Sequence, residues 1–256
     1  TSSPVLGSLA SVVGMSSGGV HQSRDRGKTW APMVKGMQVV EDLDPSNVTF
    51  HDPHCVRICP TNPDRLYQQN HCGIYRLDRP GDRWVRIGDA MPKDVGDIGF
   101  PMVVHPRDPD TAWVFPMDGS DVWPRTAIGG KPAVYRTRDA GKTWDPIVTG
   151  LPKGVYVQTV KEDPVRPGLL FCGTERGVFV SFDFGDHWQP LAGGLPTVSV
   201  LDLAVHPRER EVVLGTHGRG FFVVDVTAHE QLGADVLGAP ASLFAPADAL
   251  LLRSRW

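Results

Sequence analysis

The sequence predicts an all-β protein built from repeated four-stranded antiparallel sheets, and three observations lead to that class. Glycine and proline account for 51 of the 256 residues, about 20%, against roughly 12% in an average soluble domain. They separate short apolar runs along the whole chain, a pattern typical of short strands joined by tight turns. One octapeptide also recurs at intervals of about 40 to 60 residues, which indicates the blades of a propeller rather than a helical solenoid.

The octapeptide has serine or threonine first, aspartate third, glycine fifth and tryptophan last. Near-complete copies occupy residues 23–30, 137–144 and 181–188, and a fourth copy at 78–84 has one extra residue between aspartate and tryptophan. The aspartate can accept hydrogen bonds from backbone N–H groups two residues on, and the glycine supplies a positive φ. The tryptophan then begins the next strand and buries apolar surface between blades. We therefore predict structural roles for Asp25, Trp30, Asp78, Trp84, Asp139, Trp144, Asp183 and Trp188.

This repeat resembles the Asp-box, or BNR, repeat of sialidase-like and sortilin-like β-propellers, over about residues 9–226. Residues 63–73 look like bacterial BNR-repeat proteins without demonstrated activity, and residues 215–225 are similar to the last blade of sortilin-type propellers. The resemblance implies a β-propeller of four-stranded antiparallel blades with Asp-box hairpins, about four to five in this chain. Rings of these families are larger, so the chain is also compatible with part of a larger ring.

The repeats set the expected domain organisation. We predict a β-propeller over residues 1–230 and a C-terminal tail over 231–256 that adds an edge strand or closes the ring. The blades are expected at roughly 1–37, 38–92, 93–152, 153–196 and 197–228. The first blade lacks an obvious first strand and the last lacks a fourth, so the two either complete each other or stay separate. An unclosed ring exposes edge strands, from which we expect self-association or a missing propeller segment.

The alternating direction of strands A to D assigns the loops to two faces. The A–B turns and the Asp-box C–D turns share one face, here called the turn face. The B–C loops and D–A connections share the other, here called the loop face. The irregular segments all fall on the loop face: residues 36–53, 71–72, 118–131, 175–176 and 217–219. Because irregular loops on a rigid scaffold often carry function, the loop face is predicted to be the working surface.

The predicted function is a non-catalytic binding or scaffold module that recognises a protein, a peptide or a glycan through the loop face. The insertion 118–131 is long and polar and carries Trp123, so with residues 41–44 and Asp52 it could form a contact surface. The alternative is a well-packed surface loop. The candidate binding residues are His54, His71, Asp118, Asp121, Trp123, Arg125, Glu175, His217 and Arg219.

A sialidase-like glycoside hydrolase is the first alternative function. The resemblance implies three arginines that clamp a substrate carboxylate, a tyrosine nucleophile activated by a glutamate, and an aspartate acid/base. The residues that could match are Arg125, Arg176, Arg219, Tyr156 and Glu175, although the Arg-Ile-Pro segment of sialidases is missing. An active enzyme is therefore less favoured than a binding module.

A metal site at the mouth of the central channel is the second alternative. A register centred on the Asn62-Pro63 turn places His54 opposite His71, and a slip of one or two residues pairs Cys55 with Cys72 instead. Imidazole and thiol groups suit Zn²⁺ or a softer metal, so His54, His71 and Cys72 are the candidate ligands. Structural polar residues are the default interpretation, and no cofactor is expected.

Composition excludes several other classes. A net charge of −3 gives no basic surface for nucleic acid, and no apolar stretch is long enough to span a membrane. Four cysteines are too few for a disulfide scaffold of this size. No signal-peptide pattern is present, so a cytoplasmic location is slightly favoured over a periplasmic or secreted one.

Overall fold

The structure is a computed structural model that describes residues 10–120, 127–191, 193–233, 236 and 238–246. The chain divides into two compact units, which comprise residues 1–159 and residues 160–256. The described residues form five antiparallel sheets, three of them four-stranded, which confirms the predicted all-β class. Their helices are too short and too polar for any of them to traverse a lipid bilayer.

The first unit contains three sheets, each with its strands in chain order. The first sheet comprises β1 (Ser11–Met15), β2 (Gly19–Ser23) and β3 (Ala31–Pro32). The second comprises β4 (Pro53–Ile58), β5 (Arg65–Asn70), β6 (Gly73–Asp78) and β7 (Val85–Arg86). The third comprises β8 (Gly99–Val104), β9 (Ala112–Pro116), β10 (Tyr135–Thr137) and β11 (Asp145–Pro146). Short 3-10 helices cover Val48–Phe50, Gly88–Ala90 and Ile128–Gly130.

The fourth sheet starts at the unit boundary, and the fifth lies wholly in the second unit. The fourth comprises β12 (Val157–Glu162), β13 (Leu170–Thr174), β14 (Gly177–Ser181) and β15 (Gln189–Pro190). The fifth comprises β16 (Val200–His206), β17 (Glu211–Thr216) and β18 (Phe221–Asp225), and the one-turn helix α1 (Thr227–Glu230) follows it.

The two partial blades are separate three-stranded sheets. As predicted, the described residues supply no strand A for the first sheet and no strand D for the last, and no ladder among them joins the two sheets. Of the predicted tail, residues 231–233, 236 and 238–246 contain no strand, and residues 247–256 lie outside the described residues.

Tryptophans of the octapeptides pack between neighbouring sheets of the first unit. Trp84 is 1% exposed and its indole N–H donates to the carbonyl of Met33, 2.9 Å away, just after β3. Trp144 is 6% exposed and donates in the same way to Ile87 of the preceding sheet, at 3.1 Å. Each ring therefore buries a large apolar surface and satisfies its one polar group.

Trp30 departs from this pattern. It is 44% exposed, and its indole N–H donates to Gly27 of its own turn. The first unit has no earlier described sheet to receive this ring. The predicted burial of Trp30 is therefore wrong, whereas the turn itself forms.

The complete octapeptide turns share one hydrogen-bond pattern, shown here for residues 137–144. The Thr137 hydroxyl donates to Asp139 at 2.8 Å and accepts from the Gly141 N–H at 2.8 Å. The carboxylate of Asp139 accepts from the backbone N–H and the hydroxyl of Thr143, at 2.9 and 2.7 Å. The carboxylate of Asp139 therefore accepts from a residue four positions later, not two as predicted. The chain reaches this geometry because Ala140 and Gly141 are both left-handed, with φ of 60° and 87°.

The same bonds hold Asp25 and Asp183 in the other two complete copies. Burial raises the pKa of Asp139, but the hydrogen bonds from Thr143 and Thr137 outweigh it, so the pKa lies below its ordinary value. These carboxylates are stabilised as anions and have their lone pairs engaged by the turn, as expected of structural aspartates.

Asp78, in the fourth copy, uses its carboxylate differently. It accepts from the guanidinium groups of Arg65 at 2.6 Å and Arg76 at 2.8 Å. Arg76 stands where the other copies have a hydroxyl residue, so the turn lacks its internal donor. The carboxylate of Asp78 therefore links neighbouring strands through two arginines rather than closing the turn.

Candidate functional site

Asp52, His54 and His71 form a cluster on the loop face of the first unit. Asp52 precedes β4, His54 lies within β4, and His71 lies in the turn between β5 and β6. One donor atom from each residue lies within 4.8 Å of the others. Two imidazoles and a carboxylate are thus brought together from segments about 20 residues apart in sequence. The antiparallel pairing of β4 with β5 places these segments side by side.

A β-bulge aims His54 into this cluster. The β4–β5 ladder pairs Pro53 with Asn70 and Cys55 with Gln69, so His54 is the extra residue. The predicted ladder pairing of His54 with His71 is therefore wrong, and so is the pairing of Cys55 with Cys72. Bulges re-aim side chains, and here the two imidazole rings still meet edge to face with centroids 5.6 Å apart.

The imidazole of His54 is fixed on both sides. Its Nδ1 lies 2.7 Å from the carbonyl oxygen of Gly99, and the ring stacks on Phe100 with centroids 4.1 Å apart. A carbonyl can only accept, so Nδ1 carries the proton and Nε2 of the neutral ring keeps its lone pair. Nε2 lies 3.4 Å from Oδ2 of Asp52.

Glycine at position 99 permits this contact. A Cβ there would lie 2.6 Å from the carbonyl oxygen of Phe115, closer than side-chain carbons approach backbone. The strand can therefore bring its carbonyl up to His54 only without a side chain at this residue.

Asp52 is held through its other oxygen and its backbone. Oδ1 accepts from the Ser16 hydroxyl at 2.7 Å, and its carbonyl accepts from the His71 N–H at 2.9 Å. Burial raises the pKa of this carboxyl, but the Ser16 hydrogen bond, the positive charge that His54 carries when it is protonated and the Ser17 N–H together outweigh burial, so the pKa lies below its ordinary value. Asp52 is therefore an anion that faces His54.

Cys72 is not among the three grouped donors. Its N–H donates to the side-chain oxygen of Asn70 at 3.0 Å, and burial raises the pKa of its thiol. The geometry thus places Asp52 where the sequence prediction placed Cys72. The four cysteines, at positions 55, 59, 72 and 172, are all free.

Two depressions adjoin the cluster. His54 lines a groove of about 400 Å³ between β1 and β4, whose other described lining residues are Val12, Val13, Gly14, Pro53 and 55–58. Phe100, on which His54 stacks, also lines a smaller pocket of about 170 Å³. Phe100 is therefore a wall common to the cluster and to this pocket.

The smaller pocket is lined mainly by aromatic and apolar side chains. Its described lining comprises Phe100, Pro101, Phe115, Pro116, Met117, Ala127, Ala133, Tyr156, Val157 and Gln158. Most of these residues, Tyr156 among them, lie at the loop-face ends of β8, β9 and β12. None of the described lining residues carries a carboxylate or an arginine.

The insertion is only partly described. Asp118 accepts from the N–H and hydroxyl of Ser120, at 2.9 and 2.6 Å, and these bonds hold its pKa below the ordinary value. Asp118 thus closes a local turn. Asp121, Trp123 and Arg125 lie outside the described residues.

Four predicted site residues lie in loop-face turns of the second unit. Glu175 and Arg176 are neighbours whose charged groups lie 3.5 Å apart, and His217 and Arg219 are exposed. Tyr156 belongs to the first unit, so the pairing of Tyr156 with Glu175 and the arginine clamp remain predictions.

A further cavity lies on the turn face. It measures about 430 Å³ and is lined by the exposed ring of Trp30, by Arg79 and by Asp82, among others. Lys35 pairs with Asp82 at its edge. The cavity is an open space beside an unburied tryptophan, and its described lining contains no histidine, cysteine or second carboxylate.

Sequence reasoning did not identify Ser16, Gly99, Phe100 or Phe115. Ser16 and Gly99 act through sheets other than the one that carries the cluster, so no local pattern marks them. The only usable signal was the Phe-Pro pair at residues 100–101 at the loop-face start of a strand A.

Comparisons with known proteins support the fold. A probable oligoxyloglucan-reducing end-specific xyloglucanase of Neosartorya fischeri is 23% identical over 190 residues, 69% of this chain and 22% of that protein. The GH74 xyloglucanase from Xanthomonas campestris superposes with a TM-score of 0.63 at 18% identity, covering 86% of this chain and 35% of its own. YCF48 bound to D1 peptide gives 0.55 at 13% identity, covering 86% and 62%.

The solved structures are β-propellers, which confirms a β-propeller of about four to five blades. No family model matches the chain. The chain spans about a fifth of the xyloglucanase of Neosartorya fischeri and about a third of the one from Xanthomonas campestris.

Proposed function

We propose that this protein is a non-catalytic binding module that recognises a peptide or glycan segment through its loop face. The observation that carries this proposal is the pocket at Phe100, Phe115 and Tyr156, whose described lining is mainly aromatic and apolar and includes the polar Gln158. A volume of about 170 Å³ is below the roughly 300–1,000 Å³ of small-molecule sites. It suits one side chain or one sugar ring of a longer ligand.

The carboxylates on this face favour binding over hydrolysis. A glycosidase needs one carboxylic acid that holds its proton beside a second, ionised carboxylate. Asp52 has a lowered pKa, and Asp97 accepts two hydrogen bonds from Arg86 Nη2, at 3.1 and 2.8 Å. Burial raises the pKa of Glu230, but this residue pairs with Arg210 of the β16–β17 turn, so it lies on the turn face and not on the loop face.

We also propose that the octapeptides are Asp-box turns of the sialidase-like and sortilin-like type. The hydrogen-bond pattern common to Asp25, Asp139 and Asp183 supports this, since a specific internal geometry recurs with the sequence motif. Such turns mark a fold and carry no function of their own.

Two binding measurements test the proposed function. Titration calorimetry measures binding to xyloglucan oligosaccharides, and capture on an immobilised library measures binding to peptides. These probes follow the names of the neighbours, a xyloglucanase and a peptide-bound propeller. We expect binding to one probe class and at least a tenfold loss with Tyr156→Ala. Trp30→Ala is the matched control, because this exposed aromatic ring lies on the turn face. Release of reducing ends is assayed in parallel.

Two results would contradict the proposal. Release of new reducing ends from the oligosaccharide, lost in Tyr156→Ala, would identify a hydrolase. Equal binding by wild type, Tyr156→Ala and Trp30→Ala to every probe would show that this pocket is not the recognition site.

A further inference from the structure

We propose that Asp52, His54 and His71 bind one divalent transition-metal ion, of which Zn²⁺ fits best. This inference is independent of the binding pocket, since none of the three residues lines it. It differs from the sequence prediction in its third ligand, a carboxylate in place of a thiol.

The distances suit a tetrahedral ion. Zn²⁺ bonds to histidine nitrogen and carboxylate oxygen at about 2.1 Å, so two ligand atoms at tetrahedral angles lie about 3.4 Å apart. The Nε2 atom of His54 and the Oδ2 atom of Asp52 are separated by 3.4 Å. The donor atom of His71 lies within 4.8 Å of both, and His71 is exposed, so a small rotation of its ring completes the set.

Supporting contacts orient the ligands as a metal site requires. Metal-binding histidines commonly donate their other ring nitrogen to a carbonyl, which fixes the tautomer and directs the lone pair at the metal. His54 does this with Gly99 at 2.7 Å. The second oxygen of Asp52 is engaged by Ser16 at 2.7 Å, so Oδ2 alone is directed at the cluster.

The donor set discriminates between metals. Ca²⁺ and Mg²⁺ take six or more oxygen ligands, whereas two imidazoles with one carboxylate suit Zn²⁺, Co²⁺ and their neighbours. Three protein ligands leave a fourth position open, as in zinc sites that also bind water or an exogenous group. His54 lines the 400 Å³ groove, which gives such a group access.

A second Asp–His pair in the chain provides the control. Asp183 and His187 lie on the turn face with Oδ2 and Nδ1 2.7 Å apart. That distance is a direct hydrogen bond and leaves no room for an ion between the two atoms. This pair supplies one carboxylate and one imidazole, two of the three ligand groups of the proposed site. Among the described residues, no third histidine, cysteine or carboxylate groups with it.

The test uses the full chain, stripped with a chelator and repurified, and titrated with ZnCl₂ by calorimetry. We expect one Zn²⁺ per chain and an absorption spectrum of tetrahedral type when Co²⁺ replaces it. His71→Ala and Asp52→Asn should each lose more than about 100-fold in affinity, and Ser16→Ala about tenfold. His187→Ala and Cys72→Ser should bind as the wild type does.

His71 is exposed, so His71→Ala is expected to fold even where a variant of the buried His54 does not; thermal melts of each variant confirm this. The proposal is overturned if the wild type takes up no stoichiometric Zn²⁺. It is also overturned if folded His71→Ala and Asp52→Asn bind Zn²⁺ as tightly as His187→Ala does. Loss of binding in Cys72→Ser with retention in Asp52→Asn would assign the site to the thiol instead.

Discussion

An aspartate side chain contacts a histidine side chain on each face of this protein, and the two contacts differ in their surroundings. On the turn face, Asp183 receives the backbone N–H and the imidazole of His187 from within one octapeptide. On the loop face, Asp52 meets His54 across a bulge and His71 across a strand pair. The first carboxylate has both oxygens engaged by its own turn, whereas the second keeps one oxygen directed at the imidazoles.

Whether a contact recurs from sheet to sheet distinguishes structural residues from candidate ligand-binding residues more reliably than residue type does. The octapeptide aspartates recur with closely similar contacts in three sheets, so these contacts serve to close turns. The cluster at Asp52 occurs once among the described residues, its three side chains come from one sheet, and Ser16 and Gly99 hold them from two neighbouring sheets. We therefore expect substitutions on the turn face to lower stability, and substitutions in the cluster to lower ligand affinity.

The largest expected effect concerns the tryptophans of the turn face. Trp84→Ala should lower the free energy of unfolding by about 3–5 kcal/mol, because it empties a site buried between two sheets. Trp30→Ala, in the same motif, should cost less than about 1 kcal/mol since its ring is 44% exposed. Urea denaturation followed by circular dichroism measures both. Equal losses would show that the motif stabilises its own turn rather than the packing of sheets.

The second prediction contrasts the two kinds of aspartate directly. Asp139→Ala should cost about 1–2 kcal/mol, because the Thr143 N–H and hydroxyl lose their acceptor, much as at a helix N-cap. Asp52→Ala should cost less than Asp139→Ala in chelator-treated buffer, because it removes the partner of the Ser16 hydroxyl and of His54 but opens no turn. Denaturant midpoints at pH 7 measure both. A larger loss for Asp52→Ala would reverse the division between the faces.

The third prediction adds pH. The pKa values of Asp25, Asp139 and Asp183 lie below their ordinary range in the folded protein. Their stabilisation is therefore fully present above the unfolded pKa of about 3.9 and is lost as the pH falls through the folded values. The destabilisation caused by Asp139→Ala should accordingly be smaller at pH 3 than at pH 7. A pH-independent difference would mean that the substitution acts through packing.

The smallest expected effect is that of His187→Ala. The imidazole is exposed and contributes one hydrogen bond at the edge of the turn, so its removal should change stability by no more than about 0.5 kcal/mol. Thermal melts of wild type and variant measure this. A loss similar to that of Asp139→Ala would mean that the side chain at the seventh position helps to close the turn.

The sequence predicted the turns and strands well because their determinants are local. The octapeptide fixes its own hydrogen bonds, and the irregular segments predicted for the loop face follow from counting strands along each repeat. The cluster was predicted only in part. His54 and His71 could be placed near each other by counting along a hairpin, but the bulge at His54 moves the register. Its partners Ser16 and Gly99 come from neighbouring sheets, and a single sequence carries no mark of such contacts.

The ring of Phe100 has a consequence for how the loop face responds to ligands. It stacks on His54 and at the same time lines the pocket of Tyr156. An occupant of the pocket that displaces this ring would alter the seat of His54, and an ion that fixes His54 would hold the ring in place. Thermodynamic linkage requires both influences to have the same magnitude. One phenyl side chain would therefore make the two proposed binding equilibria cooperative or antagonistic.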